Sequence, residues 1–422
     1  MLSKSVNEPN LKKVLRNSAS LIITRILTKV AITGLTIVVA RQLGDVDFGV
    51  LSTIFAFTAF FSIIEEFGLT VPMIRKLAKR DEDPGIVLGR IIYMKIPLGI
   101  ISFILFVCTA WIYNLPIILG VIFGANMFFE IQAISIVRSF EGLERMEYIT
   151  YLTIIEKSFL CLIGIGVLLL GFGLAALGFV YLLSNIILIT TGIFIFQKKY
   201  SKIKFQNNKY YIKSLTKEAL PFILASLFSV LYNRMDIYFL TSYRTLSEVG
   251  LYNAAYRIID AQMFIPVSIV SAVFPPLARC YSSSLKDFYL IHSRSFYFLL
   301  FLGICLTIVT YFMSTKIITL LYGEKYLYAV EVLKILSFIL PFYFLNYLLG
   351  STLIAVGREI YSTISLIIGA TLNMLLNYYF IGSYGINGIA LAKVISEITV
   401  FIFQTTVLIS FVKTFKIFSF TR

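Results

Sequence analysis

Twelve apolar runs, most of them close to twenty residues long, divide this chain: near 18–40, 48–70, 91–112, 116–137, 150–170, 174–196, 219–241, 249–275, 295–314, 332–355, 361–381 and 386–412. A helix needs about 20 apolar residues to cross the hydrocarbon core of a bilayer, so the spacing predicts a series of transmembrane helices. In lipid every backbone N–H and C=O must be bonded within the span, which excludes open sheets and irregular chain. Charged residues make up 14% of the 422, well below the roughly 25% of a soluble domain. The expected fold is an all-α polytopic membrane protein of about twelve transmembrane helices.

A formal charge of +15 would suit a nucleic-acid partner, but its placement argues against one. The cations sit in alternate connections. Lys4, Lys12, Lys13 and Arg16 precede the first run; Arg75, Lys76, Lys79, Arg80 and Arg90 follow the second; seven lysines fall within 197–218. Arg279, Lys286 and Arg294 follow the eighth run, and Lys413, Lys416 and Arg422 end the chain, whereas 114–116, 171–173 and 382–385 carry no cation. This is the positive-inside pattern. It predicts cytoplasmic termini and no nucleic-acid binding. The basic start runs into a full-length span without a small-residue cleavage site, so no cleavable signal peptide is expected.

Cys108, Cys161, Cys280 and Cys305 have no CxxC spacing, and His292 is the only histidine, so neither a metal site nor a disulfide frame is expected. There is no Gly-rich nucleotide loop. With short connections and no cofactor signature, the expectation is a transporter and not an enzyme.

The first run is the odd one. Leu21 to Ala40 carries Arg25 and Lys29 four residues apart, on one helix face. Eleven Leu, Ile and Val residues favour insertion by about 5 kcal/mol, while two central cations oppose it by about 5–7. The segment belongs in a membrane if its charged face looks into a polar cavity.

The halves of the chain repeat one another in order. Asp47-Phe48-Gly49-Val50-Leu51 recurs as Glu248-Val249-Gly250-Leu251-Tyr252, Pro72 and Arg75 as Pro276 and Arg279, Gly142 as Gly357, and Gly173-Leu174…Ser184 as Gly385-Ile386…Ser396. Six spans per half put both halves in the same orientation, a parallel repeat of the transporter kind. The expected domains are two six-helix lobes, 1–205 and 206–422, around a central cavity, joined by the lysine-rich stretch 197–218. Pro275-Pro276 is expected to end the eighth helix.

Several short motifs carry a family resemblance: Ala40-Arg41-Gln42-Leu43-Gly44 before Asp47-Phe48-Gly49, then Glu66-Phe67-Gly68-Leu69, Leu220-Pro221-Phe222, Arg234-Met235-Asp236, Val249-Gly250-Leu251-Tyr252 and Leu321-Tyr322-Gly323. Together they resemble the polysaccharide-export branch of the multidrug/oligosaccharidyl-lipid/polysaccharide exporter superfamily, the O-antigen flippases of the Wzx type. The resemblance implies a cavity lined by the first, second, seventh and eighth helices. It also implies a polyprenyl-pyrophosphate-linked oligosaccharide as cargo, with membrane lipid, glycosyltransferases and a polymerase of the same pathway as partners. The same residues leave open a multidrug or metabolite cation antiporter of the same fold, and a membrane-embedded glycan polymerase or ligase.

The intramembrane charges define the candidate site. Arg25, Lys29, Arg234 and Arg257 are candidate pyrophosphate ligands, since a guanidinium binds two phosphate oxygens at once. Glu65, Glu66, Asp236 and Asp260 are candidate gating or coupling groups. Glu65 and Glu66 would answer Arg25, and Arg257 and Asp260 share a helix face. Asp236, Asn373 and Asn377 would make a cation site for sodium if sodium, not a proton, is the coupling ion, with Lys393 an alternative occupant. Lys393 and Glu397, at i and i+4, are expected to satisfy one another.

Overall fold

The computed structural model describes the backbone of residues 11–206 and 209–411, and the side chains of 28–206 and 214–411. Among the described residues there is no strand. In order, the helices are α1 (Leu11–Glu66), α2 (Thr70–Lys79), α3 (Pro84–Ile112), α4 (Ile117–Gly142), α5 (Met146–Leu169), α6 (Leu174–Lys199), α7 (Lys209–Tyr243), α8 (Leu246–Gln262), α9 (Phe264–Ser283), α10 (Leu285–Tyr322), α11 (Ala329–Ser337), α12 (Leu340–Ala355) and α13 (Glu359–Phe411).

Two of these are double. Gly44 (φ 84°) breaks α1 and Gly385 (φ 55°) breaks α13 into consecutive arms. Both take a positive φ that glycine adopts without a Cβ clash. Among the described residues nine helices are long and apolar enough to cross a membrane, and α11 with α12, bent by 46°, gives a tenth if the pair is taken as one span. With the two breaks this gives the twelve spans expected from hydropathy.

The residues group into two compact units: those through Gln42 with Phe57–Ser226, and Leu43–Ala56 with Leu227–Arg422. In the first unit α4 packs on α3 and α6, and α5 on α6. Its core joins Met73, Leu88, Ile91, Phe140, Leu152, Phe196 and Leu215. In the second, α12 packs on α9, α10 and α13, and α11 on α8 and α10.

Two of the repeat landmarks fall at equivalent points, whereas Pro72 lies in the first turn of α2 and Pro276 in the middle of α9. Gly44 and Thr245 each precede the start of a helical segment. Thr245 caps α8 in a capping box with Glu248. Gly173 caps α6, as Gly385 opens the second arm of α13. The paired motifs also meet. A methyl group at Gly49 would run into the Leu246 carbonyl, and one at Gly250 into the Asp45 carbonyl. Around this crossing Asn253 Nδ2 donates to Ser52 Oγ at 2.5 Å, Thr53 and Thr241 hydroxyls lie 2.9 Å apart, Ser247 bonds Asp45, and Tyr238 donates to the Ala56 carbonyl at 2.7 Å. Small residues let two backbones close to this distance.

Three local expectations need correction. The second run does not extend to residue 70. Its arm ends at Glu66, Phe67 (φ 47°) and Gly68 (φ 63°) turn the chain, and α2 follows as a separate amphipathic helix that buries Pro72, Met73 and Leu77. Pro275-Pro276 does not end a helix, because α9 continues to Ser283. A proline deprives the helix of one hydrogen bond, and a chain already held by buried Leu277 tolerates that loss. The lysine-rich connection is also shorter than read, since α6 reaches Lys199 and α7 begins at Lys209.

That connection is pinned to the start of α3. Asp83 caps the helix through the amides of Gly85 (2.8 Å) and Ile86 (3.3 Å), and Ser201 Oγ donates to the same carboxylate at 2.6 Å. Gly85 in turn donates to Ser201 Oγ and accepts from the Lys204 amide. The Ser201 hydroxyl, aided by the two amides and nearby Lys204, holds the Asp83 carboxyl below its ordinary pKa. A carboxylate with a depressed pKa stabilises the fold above its unfolded pKa, and this contribution fades as pH falls through the folded one. Asp83→Ala is expected to cost about 1 kcal/mol at neutral pH. Melting curves of the two proteins should converge below about pH 4; a gap that persists into acid would assign the loss to something other than the carboxylate.

Candidate functional site

Helix α7 brings Tyr232 and Asp236 to the interior of the second unit, one turn apart on one face. Asp236 accepts from Tyr252 Oη at 2.9 Å and from Asn377 Nδ2 at 3.1 Å. The same Asn377 nitrogen reaches Asn373 Oδ1 at 3.0 Å. The three residues expected to form a cation site therefore lie together, and a cation stands beside them. Lys393, 0% exposed, places its ammonium 3.8 Å from Asp236 Oδ2 and 2.6 Å from the Tyr232 carbonyl, with the Tyr232 ring 4.6 Å away. An ammonium donates three hydrogen bonds and needs oxygen acceptors; this arrangement supplies a carboxylate and a carbonyl.

Lys393 and Glu397 do not form the ion pair expected from their spacing. Glu397 instead accepts from the Tyr232 hydroxyl and from Asn346 Nδ2 at 2.8 Å. Partners from α7 and α12 outcompete the intrahelical neighbour, since a hydrogen bond is electrostatically stronger in the low-dielectric interior than in water.

Beside this network lies a cavity of about 450 Å³, lined among others by Tyr232, Asn233, Tyr256, Asp260, Asn346 and Glu397. Of these, Asp260 is a candidate gating or coupling group from the sequence. Arg234 is half-buried on α7, and Arg257 is half-buried on α8 just under one turn before Asp260.

The first unit has its own buried charges. Glu65, fully buried, accepts from Gln132 Nε2 at 2.9 Å. Glu66 accepts from the Thr70 amide at 3.1 Å and stands 3.8 Å from the ammonium of Lys95. Lys95 is also fully buried and donates to Ser135 Oγ at 2.9 Å and to Thr70 Oγ1 at 3.3 Å. The partners seen for Glu65 and Glu66 thus come from α2, α3 and α4. Lys29 is exposed on the first arm of α1, and the side chain of Arg25 lies outside the described residues. Glu130, Glu156 and Lys157 line a separate cavity of about 260 Å³ with Asn185, and Lys157 bonds Glu156 at 2.6 Å.

Lys95, Gln132, Asn346 and Gln404 were not anticipated. For Lys95 the signal was present: it is a lone cation within an apolar span, with no acid in its own helix, the same reasoning that singled out Arg25. The amides carry no such signal, because a single Gln or Asn in a span costs too little to stand out in hydropathy.

Buried ion pairs and polar cavities inside a shell of apolar helices define a multi-pass membrane protein of the transporter type. Solved structures share this fold. The chain aligns over 93% of its length, and 99% of the other, with an inward-facing multidrug resistance MATE family transporter of the MOP superfamily (TM-score 0.73, 14% identity). It aligns over 95% of its length, and 88% of the other, with the lipid II flippase MurJ in an inward closed conformation (TM-score 0.72, 18% identity). The family model for polysaccharide biosynthesis proteins matches residues 14–281, and the chain belongs to that family. The MatE model matches residues 221–379.

Among curated relatives, a probable low-salt glycan biosynthesis flippase of Haloferax volcanii is 25% identical over 85% of this chain and 75% of its own length. A capsular polysaccharide biosynthesis protein of Staphylococcus aureus is 25% identical over 63% and 71%. An uncharacterised membrane protein of Methanocaldococcus jannaschii is 27% identical over 53% of the chain, a match that spans 45% of that relative.

Proposed function

We propose that the protein is a flippase for a polyprenyl-pyrophosphate-linked oligosaccharide, an O-antigen or related surface-glycan unit, carried from the inner to the outer leaflet of a cytoplasmic membrane. The observation that carries this reading is the match to polysaccharide biosynthesis proteins over residues 14–281. The flippase named among the relatives and the polar interior of each unit support it. Transport proceeds by alternating access, with both termini cytoplasmic. Arg25, Lys29, Arg234 and Arg257 neutralise the pyrophosphate. Glu65, Glu66, Asp236 and Asp260 exchange partners as the site opens to one side and then the other, and a proton or sodium gradient or the membrane potential supplies the energy. Glycosyltransferases and a polymerase act before and after it.

The test is leaflet transfer in liposomes that hold undecaprenyl-pyrophosphate-linked N-acetylglucosamine, read by an impermeant lectin. The wild-type protein should move the lipid. The Arg25→Ala and Lys29→Ala variants, inserted normally, should each slow it about tenfold, the worth of one charge-assisted hydrogen bond. Transfer at the wild-type rate in both would remove the phosphate-receptor role. The MatE match favours a second reading, cation antiport. Protection of cells from cationic dyes without any glycan defect would select it.

A further inference from the structure

The cavity of the second unit has a chemistry unlike that needed for a pyrophosphate. Among the described residues no Lys, Arg or His lines it, whereas Asp260 and Glu397 both do. Its walls also hold two buried acceptors that no donor reaches. Gln404 is 3% exposed; its Nε2 donates to Ser365 Oγ at 2.8 Å, and its Oε1 has no partner. Asn346 gives its nitrogen to Glu397 and leaves Oδ1 without a partner. Each Glu397 oxygen already accepts one bond, from Tyr232 or Asn346, and a carboxylate has about four lone-pair sites. Buried acceptors of this kind are costly unless a donor reaches them.

Four tyrosines, Tyr232, Tyr256, Tyr343 and Tyr347, supply the remaining surface, with the hydroxyls of Tyr256 and Tyr343 3.4 Å apart. An occupant must therefore offer O–H or N–H donors along its edge and an apolar face to aromatic rings, and must not be an anion. A quaternary or aryl cation would satisfy the rings but leave the amide oxygens unbonded. The volume, about 450 Å³, falls within the usual range for small-ligand sites.

We propose that this cavity is a subsite for a neutral or amino pyranose, contacted through its hydroxyls by Gln404, Asn346 and Glu397 and through its C–H face by the tyrosines. It rests on the flippase reading for the identity of the cargo. It adds that the sugar and the pyrophosphate occupy different places, and that acidic sugars are refused here by Asp260 and Glu397.

Saturation-transfer NMR on the purified full-length protein in a detergent without a sugar headgroup tests this directly. The probes are free glucose, N-acetylglucosamine, glucuronate and tetraphenylphosphonium. Glucose and N-acetylglucosamine should receive magnetisation and glucuronate should not. Gln404→Leu, which removes the unbonded acceptor at nearly constant volume, should weaken sugar binding about fivefold to tenfold. Ser351→Trp, which fills the cavity, should abolish it.

The subsite is overturned if neither neutral sugar is saturated, if both variants bind as the wild type does, or if glucuronate binds as well as glucose. It is equally overturned if only tetraphenylphosphonium binds, which would make the cavity an organic-cation site. Sugar binding without leaflet transfer would sink the flippase reading and leave the subsite. Transfer without sugar binding would do the reverse.

Discussion

Lys393→Met is expected to destabilise the protein by roughly 3–5 kcal/mol, the cost of leaving one partner of a buried ion pair uncompensated. Methionine fills a similar volume, so a cavity contributes little to the loss. What disappears is the ammonium held 3.8 Å from Asp236 and 2.6 Å from the Tyr232 carbonyl in a site without solvent. The double variant Lys393→Met/Asp236→Asn should recover most of the loss, because replacing a buried pair by neutral groups is often close to neutral. Apparent melting temperature in detergent reads both. An unchanged melting temperature for the single variant would show that the ammonium does not hold this network together. The same pair bears on coupling. With the Lys393 ammonium beside Asp236, thermal stability is expected not to rise on adding sodium at constant ionic strength; a rise would put sodium at this carboxylate instead.

The second large effect is expected at the crossing of the paired motifs. Gly250→Leu places a side chain against the Asp45 carbonyl and the Gly49 backbone, and Gly49→Leu drives one into the Leu246 carbonyl. Backbone cannot rotate away as a side chain can. Overpacking commonly costs about 1–3 kcal/mol, and here the hydrogen bonds of Ser52, Thr53 and Asp45 would separate as well, at about 1 kcal/mol each. The result should reach or exceed the top of that range. An Asp45→Cys/Ser247→Cys pair should crosslink in the parent and lose that crosslink when Gly250→Leu is added. Equal crosslinking and equal melting in both would refute the close crossing.

The spans were legible because lipid imposes a single strong demand, a full-length apolar helix, on every crossing segment. The breaks at Gly44 and Gly385 fell between runs for the same reason, and the Asp236, Asn373 and Asn377 cluster was found because three polar residues in apolar helices have few places to go. The pairing of Lys393 with Glu397 misled because the i, i+4 rule describes helix surfaces in water. In a packed interior, Tyr232 and Asn346 on other helices decide the outcome. Helix α2 escaped notice because a ten-residue amphipathic helix is too short and too charged to register as a span. The cavity in the second unit was invisible for a different reason: its key acceptors, Gln404 and Asn346, matter only through what faces them.

The crossing at Gly49 and Gly250 also sets a timetable for biogenesis. Asp45, Ser52, Thr53 and Ala56 bond to residues 182 to 202 positions further along the chain. At about 5–20 residues per second, synthesis delivers those partners on the order of ten to forty seconds after the second arm of α1 has emerged. During that interval its Ser52 and Thr53 hydroxyls have only their own helix to bond, as Ser52 does to the Phe48 carbonyl. This arm is made well before its partners and is completed only when they arrive, so agents that shield unfinished membrane helices should be found bound to it throughout that interval.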